Sequence, residues 1–205
     1  MDTRVNHIIL RGFLHEKPEL SHENHGRAFY RFSLLVPRLS GAEDTLPVIA
    51  AQDVMEKAEL EGGILQIVGQ IRSFNNRSDS GRRLVIYVYA ESISLCDDEP
   101  ENLVCLTGTI CKVPIYRRTP LGREICDVML AVNRAYHRSD YLPVILWGRT
   151  AKETSQLSVG TMLQVEGRLQ SRDYQKQLEN GSERRTAYEI SAMSASLFDP
   201  NETIT

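Results

Sequence analysis

The stretch Leu142-Pro143-Val144-Ile145 reveals the organisation of the chain, because the same four residues stand 96 positions earlier as Leu46-Pro47-Val48-Ile49. Other landmarks fall into the same register: Gly12 on Gly108, Pro18 on Pro114, Gly26-Arg27 on Gly122-Arg123, Val36 on Val132 and Arg38 on Arg134. A repeat of this length is a whole domain, since solenoid units are only about 20–50 residues long. The chain therefore consists of two copies of one small fold.

The length of 205 residues fits two domains of about 100 residues each. We expect the first copy at residues 1–96 and the second at residues 102–198. Between them, residues 97–101 form a short acidic linker that contains Pro100. Residues 199–205 remain as a short tail.

Alternating apolar residues predict an all-β fold. In the second copy, Val128, Leu130 and Val132 occupy every second position and so share one face of a half-buried strand. The helical candidates are short, Ala151 to Leu157 here and a better formed one at Asp53 to Leu60 in the first copy. Hairpin tips are expected around Ser80-Gly81 and Asn180-Gly181. Five strands with one helix between the third and fourth indicate two tandem OB-fold five-stranded barrels, each with one short helix.

Three blocks of the second copy carry a family resemblance. They are Leu130-Ala131-Val132-Asn133-Arg134, then Val144 to Ala151 (Val-Ile-Leu-Trp-Gly-Arg-Thr-Ala), then Val165 to Tyr174 (Val-Glu-Gly-Arg-Leu-Gln-Ser-Arg-Asp-Tyr). In this order and spacing they resemble the bacterial single-stranded-DNA-binding (SSB) proteins. The resemblance implies an OB-fold that wraps single-stranded DNA with little sequence preference. It also implies an assembly of four OB-folds, which two copies per chain would reach as a homodimer.

The residues themselves suit such binding, which needs aromatic faces for bases and cations for phosphates. The second copy supplies four aromatic residues where the family places them: Tyr136, Tyr141, Trp147 and Tyr174. Five arginines accompany them: Arg134, Arg138, Arg149, Arg168 and Arg172. We take these nine as the candidate nucleic-acid-binding residues. The alternative for Trp147 and Tyr141 is packing in the barrel or an interface, and for each arginine simple solvation.

The first copy lacks all four aromatic residues, with Ser40, Thr45, Ala51 and Asn76 at the matching positions. It is also neutral between residues 4 and 95, with 11 basic and 11 acidic residues. Residues 102–198 carry 13 basic and 9 acidic residues, so attraction to a polyanion should come mainly from the second copy. We expect the first copy to be chiefly a structural partner. Phe74 and Tyr89 are its candidates for a weaker contact.

The sequence offers little support for an enzyme, a metal-binding protein or a membrane protein. The sequence contains no phosphate-binding loop or nucleophile motif of an enzyme, and predicts no cofactor. His22-x-x-His25 has no neighbouring ligand that would make it a metal site. Without a long apolar segment, a cytoplasmic, nucleoid-associated protein that does not bind membranes is expected.

An interaction module remains open as the alternative function. The tail lacks the acidic, hydrophobic tip of the familiar SSB proteins, so recruitment of partners through it is doubtful. A PriB-like primosome accessory on an OB-fold frame, with weak or incidental nucleic-acid binding, would fit this difference.

Overall fold

A computed structural model describes residues 5–78, 81–178 and 181–198. The predicted hairpin-tip residues Ser80 and Asn180 and the predicted tail at 199–205 lie outside this part. The first copy contains β1 (Asn6–Leu14), β2 (Glu19–Asn24), β3 (Arg27–Pro37), β4 (Glu43–Ala51), α1 (Gln52–Met55), β5 (Ile64–Ser78) and β6 (Gly81–Cys96). The second contains β7 (Glu101–Ile110), β8 (Ile115–Arg118), β9 (Glu124–Arg134), a 3-10 turn (Ala135–His137), β10 (Arg138–Trp147), α2 (Gly148–Thr154), β11 (Met162–Leu178) and β12 (Gly181–Leu197).

Each copy closes into a barrel, so the predicted all-β OB-fold is confirmed. In the first copy, β1 pairs antiparallel with both β3 and β5, and the ring continues through β4 and β6. The link between β4 and β6 is parallel, as is that between β10 and β12 in the second copy. Alternate residues of these strands fill one continuous apolar core. Such alternation is what buries one face of a sheet and leaves the other face outside.

Among the described residues, each copy has one strand more than the five that the sequence predicts. The additional strands, β2 and β8, lie in the connections between β1 and β3 and between β7 and β9. In this part of the chain they pair only with β3 and β9, and all of their residues are exposed. Because they bury nothing, their sequence shows no apolar alternation that would have predicted them. They extend one edge of each barrel rather than joining the ring.

The relative length of the two helices was predicted wrongly. The first copy's helix α1 spans four residues and buries none of them, whereas α2 spans seven and buries Ala151 and Thr154 against the barrel. The stretch from Glu56 to Leu60 is composed of good helix formers, but short helices are marginal in water without packing. Tertiary packing, rather than helix propensity, therefore decides their lengths.

The two copies share one sheet around a local pseudo-twofold axis. Strands β1 and β7 pair antiparallel with Ile8 opposite Val104, its counterpart at the offset of 96 residues. A pair of equivalent residues facing each other is the signature of an isologous contact. The resulting sheet runs through twelve strands. The described residues include no helix with the length and apolarity required to cross a membrane.

Buried carboxylates reinforce this junction from both sides. Asp140 of the second copy is fully buried and accepts a hydrogen bond of 2.7 Å from the backbone N–H of Ser73 in the first. Its counterpart Asp44 is 1% exposed and accepts one of 2.7 Å from the N–H of Ser171 in the second copy. The two contacts cross the junction in opposite directions. The copies are therefore held together by polar bonds as well as by the shared sheet.

Candidate nucleic-acid interface

The outer face of the second copy brings several of the candidate residues together. Leu142, Val144 and Leu146 of β10 point into the core, which leaves Tyr141, Ile145 and Trp147 on the opposite face. Residues directly opposite each other on paired strands share a face. Ile145 lies opposite Ser191, and Ser191 lies opposite Arg168. From Arg168, alternation along β11 adds Arg172 and Tyr174 to the same face. We call this surface the outer face.

Trp147 is neither a core residue nor a freely rotating surface residue. Its side chain is 37% exposed, and its indole Nε1–H donates a hydrogen bond of 3.1 Å to Ser191 Oγ. The bond fixes the ring against β12 while part of the ring stays open to solvent. A fixed, partly open ring is what stacking requires, since little side-chain entropy is lost on binding. Tyr141, at the other end of β10, is 45% exposed.

Tyr174 lies in a small charged network. The guanidinium carbon of Arg172 is 5.8 Å from the centre of the Tyr174 ring, within cation–π range. Arg172 also forms an ion pair, with its Nε 3.6 Å from Glu189 Oε1. Gln170 Nε2 donates a hydrogen bond of 2.9 Å to the same oxygen. Glu189 therefore belongs to the candidate interface through its contact with Arg172, although the sequence did not single it out. Only the pairing of β11 with β12 places this buried carboxylate in the middle of the outer face.

Tyr136 stands on a strained turn. It is 92% exposed, and its backbone adopts the left-handed conformation with φ 61°. The next residue, His137, has φ 55°, whereas its counterpart in the first copy is Gly41 with φ 82°. Left-handed backbone is unfavourable for residues with a Cβ, and such strain concentrates at functional sites. The second copy therefore holds an aromatic ring outward at a position where the first copy has an ordinary glycine turn.

The five candidate arginines have different environments. Arg134 is engaged by the buried Asp140, at 3.4 Å from Nη1 to Oδ1, and Arg72 of the first copy contacts the same carboxylate at 3.3 Å. Arg149, on α2, is 89% exposed and pairs with Glu153 at 2.7 Å; this hydrogen bond raises the pKa of the guanidinium. Arg138 is exposed and Arg168 half-buried. In the described part of the chain, neither of these last two has an acidic partner.

A cleft links the two copies next to the strained turn. It has a volume of about 570 Å³ and is lined by Gln70 and Arg72 of the first copy and by Arg134, Tyr136 and Arg138 of the second. Tyr141 adjoins the junction, because its backbone N–H donates a hydrogen bond of 2.8 Å to Ser73 Oγ. Eight of the nine candidate residues thus fall into two groups, one on the outer face and one in this cleft, whereas Arg149 lies on α2 and is assigned to neither.

Comparison with known proteins agrees with the fold and with the three sequence blocks. Residues 101–198 match the single-strand binding protein family. The second copy is similar to this family over its whole length. Single-stranded DNA-binding protein 1 of Staphylococcus aureus (strain COL) is 37% identical over 83 residues, which cover 37% of this chain and 50% of that protein. Single-stranded DNA-binding protein A of Bacillus subtilis (strain 168) is 32% identical over 106 residues, covering 48% of this chain and 60% of that protein.

The fold of the whole chain also has a solved counterpart. The wild-type single-stranded DNA binding protein from Thermus aquaticus superimposes with a TM-score of 0.77, covering 98% of this chain and 96% of that one at 22% identity. At this identity the likeness shows the fold alone, and it extends over both copies. The chain spans between half and about two thirds of the length of the curated relatives that it matches.

The described part of the chain contains no candidate metal site. Among the described residues, no group of three or more His, Cys, Asp or Glu side chains is placed to hold a metal ion. His22, one of the two histidines singled out in the sequence, instead stacks on Phe29 with ring centres 4.9 Å apart. The four cysteines are free thiols, and only Cys126 is fully buried.

Proposed function

We propose that this protein binds single-stranded DNA with little sequence preference, by base stacking and phosphate contacts, in replication, repair or recombination. The principal binding copy is the second, at residues 102–198, while the first, at residues 1–96, completes the assembly. Bases would stack on Trp147 and Tyr174 of the outer face and on Tyr136 and Tyr141 at its junction end. Every base has a π-face, so such stacking does not depend on sequence.

The observation that carries this proposal is Trp147. An indole that is hydrogen-bonded to its own sheet yet 37% exposed lies on a face with two arginines, in a domain similar to the single-strand binding protein family. Strand aromatic residues that serve only packing are normally covered. The excess positive charge of the second copy supports the same assignment, because phosphate neutralisation supplies much of the affinity for nucleic acids.

Among the arginines, the geometry favours two for phosphate contact. Arg138 and Arg168 have no acidic partner in the described part of the chain. We assign Arg134, Arg149 and Arg172 a smaller share, because each is already paired with a carboxylate. The relative effects of substituting the five arginines would test this order.

We further propose a homodimer with four OB-folds. The support is the pseudo-twofold relation within one chain, in which β1 and β7 already make the contact that two identical subunits would make across a dimer axis. Mass measurement in solution tests the proposal, with a mass of twice 23.2 kDa expected for the dimer. A particle of a single chain would contradict it.

Trp147 also provides the test of binding, since it is the only tryptophan of the chain. We expect oligo-dT to quench its fluorescence and duplex DNA of the same length to have much less effect. The affinity should fall as salt rises, because binding releases counterions from the phosphates. Absence of quenching at low salt would contradict the proposal and would favour the interaction module instead.

A further inference from the structure

The first copy has its own aromatic residues on the equivalent outer face, at different positions. Phe74 stands on β5 where Arg172 stands on β11, two residues before the position of Tyr174. Tyr89 stands on β6 where the second copy has Ser191, the hydrogen-bond partner of Trp147. A position-by-position alignment with the second copy therefore shows only that aromatic residues are missing from the first. In the folded sheet, however, the first copy carries Tyr89 one strand away from the position of Trp147 and Phe74 two residues before the position of Tyr174.

These rings lie together on the surface. The Phe74 and Tyr87 rings have centres 6.0 Å apart at an interplanar angle of 62°, an edge-to-face contact that occupies the face of only one ring of the pair. Phe74 is 47% exposed. Arg72 lies over Tyr89, with its guanidinium carbon 5.9 Å from the ring centre, much as Arg172 lies over Tyr174. The combination of open ring and neighbouring cation is therefore present in both copies.

A groove runs along this face of the first copy. Its volume of about 710 Å³ is within the range of ligand-binding clefts, about 300–1,000 Å³. Phe74 and Tyr87 line it together with Lys17, Arg31 and Tyr188, the last contributed by the second copy. Two acids also line the groove, but both are engaged, Glu19 by Arg31 at 3.3 Å and Glu16 by the Ser33 hydroxyl at 3.1 Å. In the described part of the chain, Lys17 has no acidic partner.

The groove and the interface of the second copy lie along one strand. Gln70 and Arg72 line the cleft beside Tyr136 and Arg138, and both share the β5 face with Phe74. Alternate residues of a strand are about 6–7 Å apart, which is comparable with the spacing of successive nucleotides in an extended strand. A single strand leaving Tyr136 through the cleft would thus reach Phe74 after passing Arg72.

We propose that the first copy is a second binding site for single-stranded DNA, with Phe74 and Tyr87 as the stacking pair and Lys17 as the phosphate contact. This inference rests on the proposed function, because the same strand would occupy both copies. It goes beyond the expectation that the first copy is chiefly a structural partner, with Phe74 and Tyr89 as candidates for a weaker contact. Phe29 has no part in the site, since His22 stacks on its ring and Arg27 covers it at 5.8 Å.

The test compares Phe74→Ala with Phe13→Ala. Phe13 is a matched control because it is a phenylalanine of the same copy, is 43% exposed, and does not line the groove. Binding is measured to labelled oligo-dT of about 8 nucleotides, within the site of one OB-fold, and of about 30 nucleotides, enough for two. Quenching of Trp147 is recorded in parallel to report on the second copy.

Phe74→Ala should leave Trp147 quenching and the affinity for the short oligonucleotide unchanged. It should weaken binding of the long oligonucleotide about tenfold and reduce the number of nucleotides occluded per chain. Phe74→Leu, which retains apolar volume but lacks the ring, should have the same effect, so a folding defect of the alanine variant would not obscure the result. Equal behaviour of the Phe74 and Phe13 variants would overturn the inference. Failure of any oligonucleotide to quench Trp147 would instead overturn the proposed function.

Discussion

Trp147 combines two properties that are usually separate in a strand residue, a fixed side chain and a partly open ring. The hydrogen bond from its indole N–H to Ser191 orients the ring, while the inward-pointing neighbours Val144 and Leu146 anchor the strand beneath it. A ring held in this way loses little freedom on binding. It should therefore make one of the larger contributions to affinity in this interface.

Trp147→Ala is expected to weaken binding of oligo-dT by about 1–3 kcal/mol, the usual range for one stacked base. Trp147→Phe should retain most of the affinity, because it keeps a stacking ring but loses the hydrogen bond to Ser191. Anisotropy of a labelled oligonucleotide measures both variants without depending on tryptophan emission. An alanine variant that binds as well as the wild type would exclude stacking at this position.

The left-handed backbone at His137 leads to a prediction about stability. His137→Gly should raise the free energy of unfolding by up to about 1 kcal/mol, because glycine adopts the left-handed conformation without steric strain. The reciprocal change Gly41→His in the first copy should lower it by about 1–2 kcal/mol. Urea unfolding measures both variants, and shifts of the same sign would contradict the assignment of strain to this turn.

At the scale of elements, the β11–β12 hairpin carries much of the outer face. Beyond the barrel it is stabilised by Asp173, which accepts hydrogen bonds from Thr186 Oγ1 at 2.7 Å and from Arg184 Nη2 at 2.5 Å. These bonds, first that of Thr186 and then that of Arg184, lower the pKa of the Asp173 carboxyl. Tyr174 follows directly, so the order of this segment affects how the ring is presented.

The pH dependence of the hairpin follows from this shift. Because the folded pKa of Asp173 lies below its unfolded value, the carboxylate stabilises the fold above the unfolded pKa, and this contribution is lost as pH falls through the lowered pKa. Asp173→Asn should therefore be less stable than the wild type at neutral pH, and the difference should vanish in acid. Urea unfolding over a pH series measures it; a difference independent of pH would contradict the prediction.

The helices show how packing overrides propensity at the same scale. The residues after α1 favour helix by composition, yet α1 ends at Met55 and none of its residues is fully buried. In α2, by contrast, Ala151 and Thr154 are buried against the barrel. Short helices on barrels are consequently difficult to delimit from sequence.

At the scale of the whole molecule, the copies depend on each other. The β1–β7 pairing and the buried carboxylates Asp44 and Asp140 make the junction part of the folded core rather than a contact between independent domains. Arg72, from the first copy, shares Asp140 with Arg134 of the second. Neither copy can unfold without exposing groups of the other that are buried and charged.

We therefore expect one cooperative unfolding transition. Asp140→Asn should destabilise the protein by about 3 kcal/mol, because it leaves two partly buried arginines without their carboxylate. Scanning calorimetry should show a single peak for the wild type, displaced to lower temperature in the variant. Asp44→Asn serves as the matched variant on the other side of the axis. Two separate peaks, with only one of them moved by Asp140→Asn, would contradict coupling of the copies.

The tandem repeat, the all-β class and the excess of positive charge in the second copy can all be derived from the sequence alone. These features are local or periodic, so they survive without knowledge of which strands are neighbours. The tertiary structure is needed to see that Arg134 pairs with a carboxylate at the junction, that Glu189 lies within the outer face, and that Phe74 and Tyr89 lie on the equivalent face of the first copy. Each of these depends on cross-strand register, which joins residues far apart in the chain and is set by the closure of the barrels and the packing of one against the other.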